Sequence, residues 1–218
     1  MQTTYVSKVT FIGDSKSGKT SIIKRYQENQ FSRDTQTTIG VDFTIKEIDA
    51  SPPEQPSNLK MQIWDTAGQE KFAPIIRLYF RNSYAMVIVF DLTNPFSFEH
   101  ITNWIRSVRE EYEPEIYVVV GNKSDLKRKR VVTKQYIHST LSAIKPTFNY
   151  KYIETSAKKN YNISQLFDII IHDINEKTAT IPPSLKNELS LKKVKLIYDI
   201  SSSSTYPTIR KPNCCSVQ

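Results

Sequence analysis

Cysteine is almost absent from this 218-residue chain: the two it has, Cys214 and Cys215, both lie within the last five residues. A disulfide framework is thereby excluded, because the body of the chain holds no thiol to bridge. Long apolar runs are missing too. No stretch reaches the ~18 consecutive apolar residues that a membrane-crossing helix needs. Met1 to Lys8 is polar and lacks the apolar core of a signal peptide, so the expected location is the cytosolic side. Two adjacent cysteines near an exposed end need another explanation than a bridge, and lipid attachment is the obvious one.

Positive charge is present but uneven. Residues 1–176 carry 23 Lys and Arg against 20 Asp and Glu, whereas residues 177–218 carry 7 against 2. Most of the net +8 therefore sits in the tail. That placement suits an anionic membrane surface better than nucleic acid, and no nucleic-acid partner is expected. The run Lys127-Arg128-Lys129-Arg130 reads as a solvated loop, since short basic runs are weak motifs.

Apolar runs alternate with amphipathic stretches. Tyr5–Ile12 reads as a strand entering a Gly-rich turn, and Ser21–Asn29 as the helix that follows. Val41–Ile48 alternates apolar with polar, as a half-exposed strand does. Residues 51–58 contain Pro52, Pro53 and Pro56 and read as a loop, with Leu59–Trp64 returning as the second strand of a hairpin. Tyr84–Phe90 and Ile116–Val120 are continuous apolar runs, expected of parallel strands buried on both faces. Phe98, Ile101, Trp104, Ile105 and Val108 recur at helical spacing, as do Ile163, Leu166, Phe167, Ile170, Ile171 and Ile174. Tyr150–Ile153 is a last short strand. The alternation predicts an α/β domain over 1–176, its mostly parallel sheet covered by helices on both faces. Ligands then bind at the carboxyl ends of the strands. Pro182-Pro183, Ser201–Ser204, Pro207 and Pro212 mark 177–218 as a flexible tail. Leu185, Leu189, Leu196 and Ile200 could line one helix face there, but Lys192 intrudes on it.

The segment from Gly13 through Asp14, Ser15, Lys16, Ser17, Gly18 and Lys19 to Thr20 fits G-x-x-x-x-G-K-T between a strand and a helix. Backbone N–H groups of such a loop, continued by Ser21, close on phosphate oxygens, and the helix N-terminus adds partial positive charge. Lys19 places an ammonium on the β- and γ-phosphates, and the Thr20 hydroxyl is suited to ligate Mg²⁺. Asp65, at the end of a strand, suits contact with the same ion through water. Gly68 can bring its N–H to a γ-phosphate, and Gln69 can orient an attacking water. Thr38 could complete the ion's shell only when a γ-phosphate is present, so that its segment orders on GTP and loosens on GDP.

A third cluster follows the strand Ile116–Val120. One carboxylate, Asp125, can accept both N1–H and the amino group of guanine, which adenine cannot match. Asn122 can tie neighbouring loops, and the Lys123 stem can lie over the base. The backbone of Ser156, Ala157 and Lys158 suits the guanine carbonyl. Each element is weak alone. Their order, each at a strand end, is not.

Taken together, GDSKSGKT, TTIGVDF, WDTAGQE, NKSD, ETSAK and the terminal double cysteine resemble the Ras superfamily, and its Rab branch most closely. The resemblance implies a P-loop GTPase fold: a six-stranded mixed sheet with one antiparallel edge strand and five helices. It implies a monomer that hydrolyses GTP slowly and cycles between GTP and GDP with Mg²⁺. It also implies an exchange factor, an activating protein, effectors, a prenylation escort and a GDP-dissociation inhibitor. Such a protein directs vesicle traffic from the cytoplasmic face of intracellular membranes, with a cytosolic pool. Two lipid endings remain open: geranylgeranyl on both Cys214 and Cys215, or farnesyl on Cys215 alone with Gln218 as the last residue of C-a-a-X.

The chain departs from the family pattern at Lys16 and Ser17 and again at Pro74, Arg77 and Leu78, on the expected effector surface. The 51–58 loop also looks longer than usual. No arginine finger is identifiable in cis, so an activating protein would supply it. Two rivals are a P-loop kinase or ATPase, which Asn122 to Asp125 argues against, and a scaffold that does not hydrolyse, which Gln69 argues against.

Overall fold

Alternate residues of two neighbouring strands, 85–91 and 116–122, feed two different cores. Ala85, Val87 and Val89 face one side with Ile116, Val118 and Val120. Met86, Ile88 and Phe90 face the other with Tyr117 and Val119. Because side chains of a strand alternate, a continuous apolar run can satisfy both faces only if both are covered.

The computed structural model describes residues 3–33, 37–38, 40–48, 57–68, 76–144 and 150–179, all within the unit Met1–Ile181. The elements are β1 (Thr3–Ile12), α1 (Lys19–Glu28), β2 (Val41–Ile48), β3 (Ser57–Thr66), β4 (Ala85–Asp91), α2 (Pro95–Glu99) and α3 (Ile101–Glu111). They continue with β5 (Ile116–Asn122), a 3₁₀ turn (Lys127–Lys129), α4 (Lys134–Ile144), β6 (Tyr150–Glu154) and α5 (Ile163–Ala179). The sheet order is β2-β3-β1-β4-β5-β6. Every pairing is parallel except that of edge strand β2 with β3, whose register runs from Val41 opposite Thr66 to Ile48 opposite Leu59. The expected six-stranded mixed sheet is therefore present, with five α-helices among the described residues.

Helices α1 and α5 cover one face. Ile22 and Ile23 of α1 and Ile163, Leu166, Phe167, Ile170 and Ile174 of α5 share a core with β1, β3, β4 and β5. Tyr26 stacks on Phe167 with ring centroids 3.6 Å apart. Helices α2, α3 and α4 cover the other face through Phe98, Ile101, Ile105, Val108, Ile137 and Leu141. Among the described residues no helix is long and apolar enough to cross a membrane.

Several boundaries differ from the sequence expectation. Helix α1 starts at Lys19 rather than Ser21, because Gly18 takes the N-cap in a left-handed conformation that a glycine adopts readily. The stripe from Phe98 to Val108 is two helices meeting at His100, not one. Strand β3 begins at Ser57, inside the expected loop, and pairs with β1 from Thr3 onward. Residues 51–56 and the tail from 180, with Leu185, Leu189, Leu196, Ile200, Cys214 and Cys215, lie outside the described residues.

Candidate functional site

Five parallel strands end on one edge of the sheet, and the predicted site residues follow those ends. Residues 13–18 link β1 to α1. Gly18 sits at φ 99°, with no side chain capping the helix N-terminus. The first-turn N–H groups of α1 are thus left to the loop and to whatever it holds. A Cβ on Gly18 would lie 2.2 Å from the Asn122 amide nitrogen, so only glycine fits there. Lys19 is buried and donates to the carbonyls of Gly13 at 2.7 Å and Asp14 at 3.1 Å. Burial lowers its pKa to about 8, although Asp65 and Asp14 pull the other way. An ammonium so held and so poorly solvated favours a multiply charged anion. Lys16 is exposed and left-handed at φ 64°. Ser17 is buried, its Oγ without a hydrogen-bond partner, and Ser21 lies in the first turn of α1. The Ser15 N–H donates to the Gly68 carbonyl at 2.7 Å. Gly68 is packed so tightly that a Cβ would meet Ser15 N at 2.4 Å and Lys19 Nζ at 2.6 Å.

Three oxygens converge beside this loop. Thr20 Oγ1 donates to Asp65 Oδ2 at 2.5 Å and lies 2.9 Å from Thr38 Oγ1. Asp65 is buried, and its other oxygen, Oδ1, has no hydrogen-bond partner. Burial raises its pKa, only partly offset by the Thr20 hydroxyl and the Lys19 ammonium. A buried carboxylate oxygen left over beside two hydroxyls is a hard-oxygen set that fits Mg²⁺. Among the described residues no group of three or more His, Cys, Asp or Glu could hold a metal alone. The Ala67 N–H donates to the Gly40 carbonyl at 2.8 Å, so the segment around Thr38 and the segment after β3 are joined.

At the end of β5, Asn122 is buried and donates to the Ser17 carbonyl at 2.9 Å. Its Oδ1 accepts from Thr155 Oγ1 at 3.3 Å and the Ala157 N–H at 3.4 Å. Ser156 Oγ donates to Asp125 Oδ1 at 2.6 Å. The Ser124 N–H donates to the Thr155 carbonyl at 3.0 Å. Asn122, Asp125, Ser156 and Ala157 thus belong to one bonded loop pair, and the exposed Lys158 follows them. Lys123 is the exception in its reach: its Nζ pairs with Asp91 Oδ2 at 2.7 Å.

Residues 8–176 match the model of the Ras family. The chain belongs to the Ras family of small GTPases. It is 35% identical over 199 residues to Ras-related protein RabC of Dictyostelium discoideum, covering 88% of this chain and 98% of that one. It is 38% identical over 174 residues to Ras-related protein Rab-8A of Gallus gallus, covering 79% and 80%. With Ras-related protein Rab-10 of Diplobatis ommata the identity is 36% over 210 residues, covering 96% and 95%. This is a Rab-type GTP hydrolase, as the motif resemblance implied.

Gln69, the expected water-orienting residue, and Pro74, on the expected effector surface, lie outside the described residues. Arg77 pairs with Glu110 at 2.9 Å, and Leu78 is 69% exposed. Sequence reasoning passed over Asp91, which closes the apolar strand β4 and holds Lys123. An acid ending such a run was the available signal. It also passed over Arg25, which donates to the Ala157 carbonyl at 2.8 Å and so ties α1 to the loop after β6. A single arginine on an amphipathic helix carries no signal of that kind.

Proposed function

We propose that this Rab-type GTPase is a membrane-anchored switch in vesicle traffic that binds GTP or GDP together with Mg²⁺. The observation that carries the reading is the part-buried corner of Thr20, Thr38 and Asp65 beside the Lys19 ammonium. It brings a cation-seeking oxygen set and an anion-seeking lysine together at the base of one Gly-rich loop.

In this reading the backbone from Asp14 to Ser21 cradles the phosphates, and Lys19 neutralises the β- and γ-oxygens. Thr20 and Thr38 would hold Mg²⁺, with Asp65 contributing through water, and the ion would supply positive charge that neutralises the phosphates. Gly68 offers its N–H to the γ-phosphate, and Gln69 orients the attacking water. Asp125 reads the guanine edge, Lys123 lies along its face, and Asn122, Ser156, Ala157 and Lys158 frame it. Loss of the γ-phosphate removes the partner of the Gly68 N–H and the condition under which Thr38 completes the ion's shell, which frees the two segments joined by Ala67 and Gly40. An activating protein supplies the missing arginine. The domain spans 1–176, and the basic tail 177–218 carries lipid on both Cys214 and Cys215 or on Cys215 alone, placing the protein on the cytoplasmic face of intracellular membranes.

Single-turnover phosphate release tests the catalytic part: Gln69→Leu should slow it at unchanged GTP affinity. Competition of labelled GDP by ATP should fail. Mass spectrometry of the C-terminus, with imaging of a Cys214→Ser and Cys215→Ser double variant, tests the anchor; an unlipidated terminus would overturn it.

A further inference from the structure

The Asp14 carboxylate leaves the phosphate loop and meets the corner where α2 joins α3. Trp104 Nε1 donates to its Oδ1 at 2.9 Å. His100 Nδ1 lies 2.7 Å from its Oδ2. An ionised carboxylate only accepts, so Nδ1 carries the hydrogen of that bond. Both oxygens are thus engaged from one corner, by residues 86 and 90 positions away in the chain.

The corner is itself fixed. Asn94 caps α2 by accepting the Phe96 N–H at 3.1 Å, and Ser97 Oγ accepts the Asp91 N–H at 3.0 Å. Phe98 and Ile101, on either side of His100, are buried in the core. Asp14 is therefore bonded to a rigid element and not to another loop. Its own carbonyl accepts from Lys19 Nζ at 3.1 Å and from the Ser17 N–H at 3.3 Å. Displacing the Asp14 side chain would move the backbone that these two bonds hold closed. Neither His100 nor Trp104 belongs to a nucleotide-binding motif.

We propose that His100 and Trp104 are positioning residues that clamp the phosphate loop through Asp14 and so slow release of bound nucleotide. The clamp rests on the reading of residues 13–20 as the phosphate cradle. Hydrogen bonds to a carboxylate are stronger than neutral ones, so each contact matters to the loop's closed form. A merely structural role, satisfying the Trp104 N–H inside the fold, would alter melting and leave release unchanged.

The test uses the full chain loaded with a fluorescent GDP analogue and chased with excess GDP at saturating Mg²⁺. His100→Ala and Trp104→Phe should each speed release by about 3–10-fold. His100 is half exposed, so its substitution leaves the fold intact. His100→Asn, which keeps an N–H near the Nδ1 position, should stay close to the parent rate. Asp14→Ala should release fast by itself, and neither substitution should add to it. The clamp is overturned if both single variants release at the parent rate, or if their acceleration persists in the Asp14→Ala background. A parent that holds no GDP sinks the cradle and the clamp together; a parent that holds it while the variants match its rate sinks the clamp alone.

Discussion

Asn122 donates from its side-chain amide to the Ser17 carbonyl, 2.9 Å away and 105 positions earlier in the chain. Through that bond the end of β5 holds the phosphate loop in place. The same residue accepts from Thr155 and Ala157, so three segments of the site depend on one buried amide. Asn122→Ala strands the Ser17 carbonyl and the Thr155 hydroxyl, at a cost of about 1–3 kcal/mol of stability. GDP affinity should fall more than about tenfold, since the loops drift apart. Urea unfolding beside fluorescent GDP titration checks both. A destabilised variant with undiminished affinity would make Asn122 a packing residue only.

Lys16 separates charge from backbone strain. At φ 64° a lysine sits in a region that costs a non-glycine residue about 1 kcal/mol. Glycine removes that strain but adds ~0.5–1 kcal/mol of unfolded-state entropy. The two nearly cancel, so Lys16→Gly should shift the melting temperature by less than about 2–4 °C. What it does remove is an exposed ammonium at the phosphate loop. The GDP release rate should therefore change while stability does not, as stopped-flow and thermal melts would report. Equal release rates would leave Lys16 without a role at the phosphates.

Much of this architecture can be read from the chain alone. YAMVIVF and IYVVV announce buried parallel strands because a run with no polar face needs cover on both sides. GDSKSGKT places its own loop and helix, since glycine and lysine there answer to one ligand. The links between motifs were not legible. The bonds from Asp14 to Trp104, from Arg25 to Ala157 and from Lys123 to Asp91 join residues that no periodicity relates. Only the folded sheet, by bringing strand ends onto one edge, puts them in reach. The break at His100 was hidden for a related reason: Phe98 and Ile101 face the same core, so two short helices imitate one.

Asp125 offers a test of base recognition. Its carboxylate presents acceptors alone, with Ser156 Oγ fixing Oδ1 at 2.6 Å. Guanine presents two donors, N1–H and the exocyclic amine. Asp125→Asn replaces one acceptor with a donor, which turns one attraction into a donor–donor clash. Loss of a charged hydrogen bond with a mismatched partner should weaken GDP by about 100-fold or more. Phosphate contacts stay intact, so the variant should still bind magnesium pyrophosphate as the parent does. Isothermal titration with both ligands separates the two effects. Undiminished GDP affinity would remove Asp125 from the base pocket.

Burial of Lys19 makes nucleotide binding depend on pH in a definite direction. With its pKa lowered to about 8, the nucleotide-free protein begins to lose that proton above pH ~8, whereas the unfolded chain keeps it to about 10.5. Between those values the unfolded state holds more protons, so the stability of the nucleotide-free protein rises with pH across that window and is level below it. Lys8, also lowered to about 8 by burial, adds a similar slope, so stability alone cannot identify Lys19. Binding can. Lys8 lies over the Trp64 ring at 4.5 Å and donates to the Arg81 carbonyl, whereas Lys19 bonds the phosphate loop itself. Phosphate oxygens at Lys19 favour its charged form, so GDP binding above pH ~8 should draw in a proton and weaken by up to about tenfold per pH unit. Calorimetry at pH ~8, where the guanine N1–H is still intact, in buffers of different ionisation enthalpy measures that uptake directly. Lys8→Met should leave the uptake unchanged, and Lys19→Arg, which stays charged throughout, should abolish it. Proton uptake that survives Lys19→Arg would move the phosphate anchor to another residue.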